Sequence, residues 1–86
     1  MMAMHRITTH PGDILKAELK ARRLSATRFA AELGLPFEIV VEILNCKRPV
    51  SADTARRLSR YLGTSAQIWI NLQKQYDRSL ADYRAS

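Results

Sequence analysis

The sequence predicts an all-α fold of five helices, and three observations carry that prediction. Apolar residues recur at helical spacing in five separate stretches instead of alternating as in strands. Gly34 and Gly63 each close one of these stretches, where a left-handed backbone costs glycine little. Only three glycines and three prolines fall in 86 residues, so the chain is punctuated and not broken.

The first helix is predicted from Pro11 to Arg22, with Ile14, Leu15 and Leu19 on one side. Pro11 suits a first turn, because its missing N–H has no partner there anyway. Asp13 opens this helix and Lys20, Arg22 and Arg23 close it, matching the helix dipole at both ends. The second begins at Ser25 as N-cap and buries Phe29, Ala30 and Leu33 before Gly34. The third runs over about residues 36–45, with Ile39, Val40, Ile43 and Leu44 apolar. Its Ile39-Val40-Val41 run locally favours a strand, but a lone strand among helices has nothing to pair with. The fourth follows Ser51, carries Ala55, Leu58 and Leu62 as its stripe, and ends at Gly63. The fifth starts after Thr64 or Ser65, with Ile68, Trp69, Leu72 and Tyr76 at helical spacing. Connections of about two to five residues join them, as is usual between helices.

A chain of 86 residues makes one domain with a modest core, which excludes a multi-domain enzyme. Its 47% apolar content with scattered charge excludes a disordered chain. The expected organisation is an N-terminal arm over residues 1–9, a folded domain over 10–77 and a C-terminal tail over 78–86. The single Cys46 excludes an intrachain disulfide and suits a reducing compartment. The apolar start, Met1 to Met4, is too short for a signal peptide, and no run approaches a membrane span. A cytoplasmic protein that avoids membranes is expected. The net charge of +6 points to a polyanionic partner.

Catalytic and metal chemistry find little support. His5 and His10 lack the further ligands that zinc needs, and His10 fits a helix N-cap better. Cys46 has neither a local histidine nor a cysteine motif to activate it. Glu38 and Glu42 share a helix face, where two solvated carboxylates are far commoner than an acid–base pair. No glycine-rich phosphate loop is present. The expectation is no catalytic residue, no metal and no cofactor.

Residues 25–45 have the size and punctuation of a helix-turn-helix. Small Ala30 lets the two helices approach, Gly34 makes the turn and Leu35 plugs the core beneath it. In such a motif the start of the second helix enters the DNA major groove. The charge map is compatible: residues 36–46 carry Glu38 and Glu42 and no base. Lys47, Arg48, Arg56, Arg57 and Arg60 follow directly, and flanking bases are what phosphate contacts require. An ordinary helical bundle with Arg56, Arg57 and Arg60 on a solvated face remains open on spacing alone.

Longer stretches carry a resemblance. They are His10-Pro11-Gly12-Asp13-Ile14-Leu15, Leu24-Ser25, and Phe29-Ala30-Ala31-Glu32-Leu33-Gly34. Asn45-Cys46-Lys47-Arg48-Pro49-Val50-Ser51-Ala52-Asp53-Thr54-Ala55-Arg56-Arg57-Leu58 and Leu62-Gly63-Thr64-Ser65 follow, and Trp69-Ile70-Asn71-Leu72-Gln73 with Tyr76-Asp77 completes the set. Together they resemble the HigA/VapI-type antitoxins of bacterial toxin–antitoxin modules, in the lambda-repressor-like (XRE) helix-turn-helix class. The resemblance implies a five-helix DNA-binding domain, a homodimer, and a transcriptional autorepressor bound to double-stranded operator DNA. It also implies neutralisation of a HigB/RelE-like endoribonuclease toxin, in the bacterial cytoplasm at the nucleoid.

Carried onto this chain, the resemblance places DNA contacts at Ser25, Thr27, Arg28, Phe37, Glu38, Val41, Lys47 and Arg48. Three departures from the family pattern stand out. The start of the recognition helix is Pro36-Phe37-Glu38-Ile39, with Val41 where a small polar residue is common. These side chains can meet thymine methyls or accept from cytosine N4, but they supply no arginine to guanine. Cys46 replaces the usual glycine before Lys-Arg, at mild strain if the backbone there is left-handed. Ala26 replaces a polar residue that often reaches the DNA backbone. A dimer interface is expected on the fifth helix at Trp69, Leu72, Tyr76 and Leu80, continuing to Tyr83, with two recognition helices about 34–36 Å apart. Core packing and a frayed tail are the plainer account of these residues. Two further readings stay open: a protein-interaction module with weak or altered DNA specificity, and a stand-alone regulator without a toxin.

Overall fold

Four of the five helices begin where a side chain satisfies one of the first free amides. In a computed structural model describing residues 8–85, five helices follow one another and no strand occurs among the described residues. They are α1 (Pro11–Arg22), α2 (Ala26–Leu33), α3 (Phe37–Leu44), α4 (Ala52–Leu62) and α5 (Ala66–Ala85). His10 Nδ1 accepts the Gly12 amide at 2.8 Å, and Ser25 Oγ accepts that of Arg28 at 3.1 Å. Ser51 Oγ takes the Thr54 amide and Ser65 Oγ that of Ile68, each at 3.2 Å. For α3 the N-cap is Pro36, which offers no side-chain acceptor.

Four helices end in left-handed backbone. Gly34 and Gly63 terminate α2 and α4 with φ of 71° and 76°. Arg23 (φ 55°) does the same for α1, and Cys46 (φ 61°) lies just past α3. Cys46 therefore holds a conformation that glycine adopts at less cost.

The ambiguous third segment is helical because its burial follows helical spacing: Val40, Ile43 and Leu44 all face the core. There they meet Leu15 and Leu19 of α1, Phe29, Ala30 and Leu33 of α2, Val50, Ala55 and Leu58, and Trp69 of α5. Leu35 packs against this core from the turn. Ile14 and Ile68 depart from the predicted stripes. Their immediate neighbours Leu15 and Trp69 point inward, which turns Ile14 and Ile68 about 100° away. Ile68 is 50% exposed and shares an apolar groove between α1 and α5 with Ile14, Leu62 and Leu72.

Residues 78–85, set apart in the sequence as a tail, continue α5 without a break. Nothing in Arg78-Ser79-Leu80-Ala81-Asp82-Tyr83 stops a helix. Of the N-terminal arm, Thr8 donates its amide to Ser79 Oγ at 3.0 Å. Residues 1–7, with His5 among them, and Ser86 lie outside the described residues. Among the described residues no helix is long and apolar enough to cross a membrane.

Candidate nucleic-acid interface

α2 and α3 form the predicted helix-turn-helix. Ala30 is buried between them, and Gly34 reverses the chain. Leu35 then donates its amide to the Ala30 carbonyl at 3.0 Å, locking the turn. Behind the turn, Arg57 of α4 donates Nη1 to the carbonyls of Leu33 (2.9 Å) and Gly34 (3.2 Å).

On α3, Phe37 is 45% exposed, Glu38 is exposed and Val41 is half-buried. This surface carries no base. Glu38 lies in the first turn, where its charge complements the positive end of the helix. On α2, Ser25, Thr27 and Arg28 are exposed. Arg28 Nε lies 3.5 Å from Glu32, a loose pair on the surface.

The segment after α3 folds back on it. Lys47 donates its amide to the Glu42 carbonyl at 2.8 Å across the left-handed Cys46. This return brings Arg48 Nε to 2.7 Å from Glu42 Oε1. Lys47 stays exposed, whereas Arg48 is already paired with an acid of the recognition helix. The segment is tied to α5 by Gln73, whose Oε1 accepts the Val50 amide at 2.9 Å. Gln73 Nε2 in turn donates to Asp77 at 2.9 Å.

The predicted residues of α5 divide by depth. Trp69 is 4% exposed, belongs to the core, and donates Nε1 to Thr64 Oγ1 at 2.8 Å. It is therefore spent inside the protomer and offers almost no surface to a partner. Leu72, Tyr76 and Leu80 are half-buried. Tyr76 packs edge-on to His10, with ring centroids 4.7 Å apart.

Two titratable groups are displaced by this packing. Burial lowers the His10 imidazole below its usual range, while Asp13 and Asp77 pull it back up. Burial, and then the adjacent Asp13 carboxylate, push the Cys46 thiol up, away from the reactive thiolate. Among the described residues no three of His, Cys, Asp and Glu gather to hold a metal ion.

Three residues do structural work at this site that the sequence did not reveal: Gly12 and Gln73 had no assigned role, and Arg57 stood only among the flanking bases. Gly12 meets the backbone of α3, Arg57 braces the turn and Gln73 holds the segment carrying Lys47. Gln73 alone left a signal: it falls four residues after Trp69, a polar residue on a buried stripe.

The helix-turn-helix family profile matches residues 15–69. The chain belongs to the helix-turn-helix family. Among relatives, virulence-associated protein I of Dichelobacter nodosus is 45% identical over 74 residues, covering 85% of this chain and 68% of its own length. Antitoxin HigA of Pseudomonas aeruginosa, solved with the higBA promoter, is 42% identical with a TM-score of 0.86. That match spans 93% of this chain and 86% of that one. A HigA-family antidote protein of Coxiella burnetii is 41% identical with a TM-score of 0.86, over 90% and 85% of the two chains. The five-helix fold is thus that of the HigA antitoxins. Membership of this helix-turn-helix family makes the chain a binding protein and not an enzyme.

Proposed function

We propose that this protein is a homodimeric antitoxin that represses its own operon by binding operator DNA and that neutralises a HigB/RelE-like endoribonuclease. The observation that carries the DNA part is an exposed α3 start, held by the helix-turn-helix and followed by exposed Lys47. The likeness to the Pseudomonas aeruginosa HigA solved with promoter DNA supports it. Phe37, Glu38 and Val41 face base edges, reading thymine methyls and cytosine N4. Ser25, Thr27, Arg28, Lys47 and Arg48 face phosphates and fix the register. Leu72, Tyr76 and Leu80 are the part of α5 that remains for a second protomer, with Trp69 supporting them from within.

Fluorescence anisotropy over a salt series tests the DNA part, using the duplex upstream of this gene and a scrambled duplex. Preferential binding of the upstream duplex at physiological salt is the expected result. Lys47→Ala should weaken both complexes and shallow the salt slope by about one unit. Co-expression with a HigB/RelE-like toxin encoded next to this gene tests the toxin part: restored growth with a stable complex is expected, and the lack of any such neighbouring reading frame would count against it. Equal, salt-sensitive binding to both duplexes favours the second reading, a protein-interaction module. The observation behind that reading is the absence of any base on the exposed face of α3.

A further inference from the structure

Arg57 was one of several bases that could face phosphate, but its guanidinium is already committed. Nη1 donates to the carbonyls of Leu33 (2.9 Å) and Gly34 (3.2 Å), and Nε donates to Asp53 Oδ2 at 2.9 Å. Those carbonyls end α2, where no further turn supplies a partner and where the helix dipole favours a cation. Asp53, one turn back on α4, steers the side chain toward them. The fit is close: a Cβ on Gly34 would stand 3.0 Å from Arg57 Nη1.

Only residues 34–36 separate α2 from α3, so whatever holds this turn also directs the start of α3. Leu35 ties the turn to α2 itself. Arg57 ties it to α4, and α4 packs along both α2 and α5. We propose that Arg57 is a positioning residue that fixes the presentation of α3, and so sets preference among DNA sequences without neutralising phosphate. This rests on the DNA-binding reading above. A planar fork spanning two carbonyls and a carboxylate holds a fixed geometry that a single ammonium does not reproduce.

Arg57→Ala and Arg57→Lys, with Lys47→Ala as the phosphate-contact control, separate the possibilities on the upstream and scrambled duplexes. In Arg57→Ala the preference for the upstream duplex should fall about tenfold, while the salt slope on both duplexes stays as in the wild type. Arg57→Lys keeps the charge and should still lose several-fold in preference. A slope shallower by about one unit, with preference retained, makes Arg57 a phosphate ligand and overturns the proposal. Full preference in Arg57→Lys overturns it too. Amide spectra of the free protein give a readout independent of DNA, and should show shifts over residues 33–37 in either variant. Unmoved amides there sink the clamp whatever the DNA results. A wild-type protein that binds both duplexes equally, yet shows those shifts, refutes the DNA reading and the recognition role while leaving the brace itself in place.

Discussion

Gly12 of α1 lies directly against the carbonyl of Ile43 in α3, so closely that a side chain on Gly12 would overlap that oxygen. The obstacle is backbone on both sides, and neither helix can yield by rotating a side chain. This contact also sets the distance between the start of α1 and the end of the recognition helix. Gly12→Ala is therefore expected to destabilise the domain by about 1–3 kcal/mol or more, as overpacking does. Urea unfolding should show a lower midpoint with little change in slope. An unchanged midpoint would mean that the two helices are not packed this closely.

Among the described residues, Gln73 supplies the only acceptor for the buried Val50 amide. In Gln73→Leu that N–H is left without a partner, at about 1–3 kcal/mol. The damage should be local as well as global, because Val50 follows directly after the segment carrying Lys47 and Arg48. Hydrogen exchange at the Val50 amide should accelerate beyond the change in global stability. Exchange that merely tracks global stability would show that Gln73 does not hold this segment.

His10 makes stability depend on pH in a definite direction. Its Nδ1 must be unprotonated to accept the Gly12 amide, and burial lowers its folded pKa below the unfolded value of about 6.5. Between those two values the unfolded chain binds more protons, so folding weakens as pH falls. The contribution is fully present above about pH 6.5 and is lost as pH drops through the folded pKa. His10→Asn keeps an N-cap acceptor without the titration. Melting temperatures from pH 7.5 to 5 should fall more steeply for the wild type than for His10→Asn. Parallel curves would remove His10 as the source.

What the sequence showed and what it hid differ in range. Ser25, Ser51, Gly34 and Gly63 act within one turn of themselves, so their capping roles and the helix limits were readable from neighbours. The strand-like Ile39-Val40-Val41 run was resolved by the spacing of Val40, Ile43 and Leu44. Gly12 and Arg57 act on backbone more than twenty residues away, which no local pattern encodes. Trp69 had the right spacing for either a core or an interface, and only tertiary burial placed it inside. The candidate DNA face was legible as positions on α2 and α3. Which of its cations are free was not, because Arg48 meets Glu42 only through the left-handed turn at Cys46.

With Arg48 as a proposed phosphate contact, that last pairing predicts that Glu42 restrains DNA affinity. With Arg48 Nε 2.7 Å from its carboxylate, Glu42 occupies the cation much as a phosphate would. Both side chains are about half exposed, and pairs of this kind contribute about 0–1 kcal/mol, so DNA can displace the acid at small cost. Glu42→Gln should raise affinity for both duplexes by up to about fivefold and steepen the salt slope by up to about one unit. Loss of a negative charge near DNA would also raise affinity, and a double-mutant cycle separates the two effects. Arg48→Ala should shallow the slope in both backgrounds, and by more in the Glu42→Gln background, where the change approaches about one unit. Equal slope changes in both backgrounds would show that Glu42 acts only by its own charge and leaves Arg48 free.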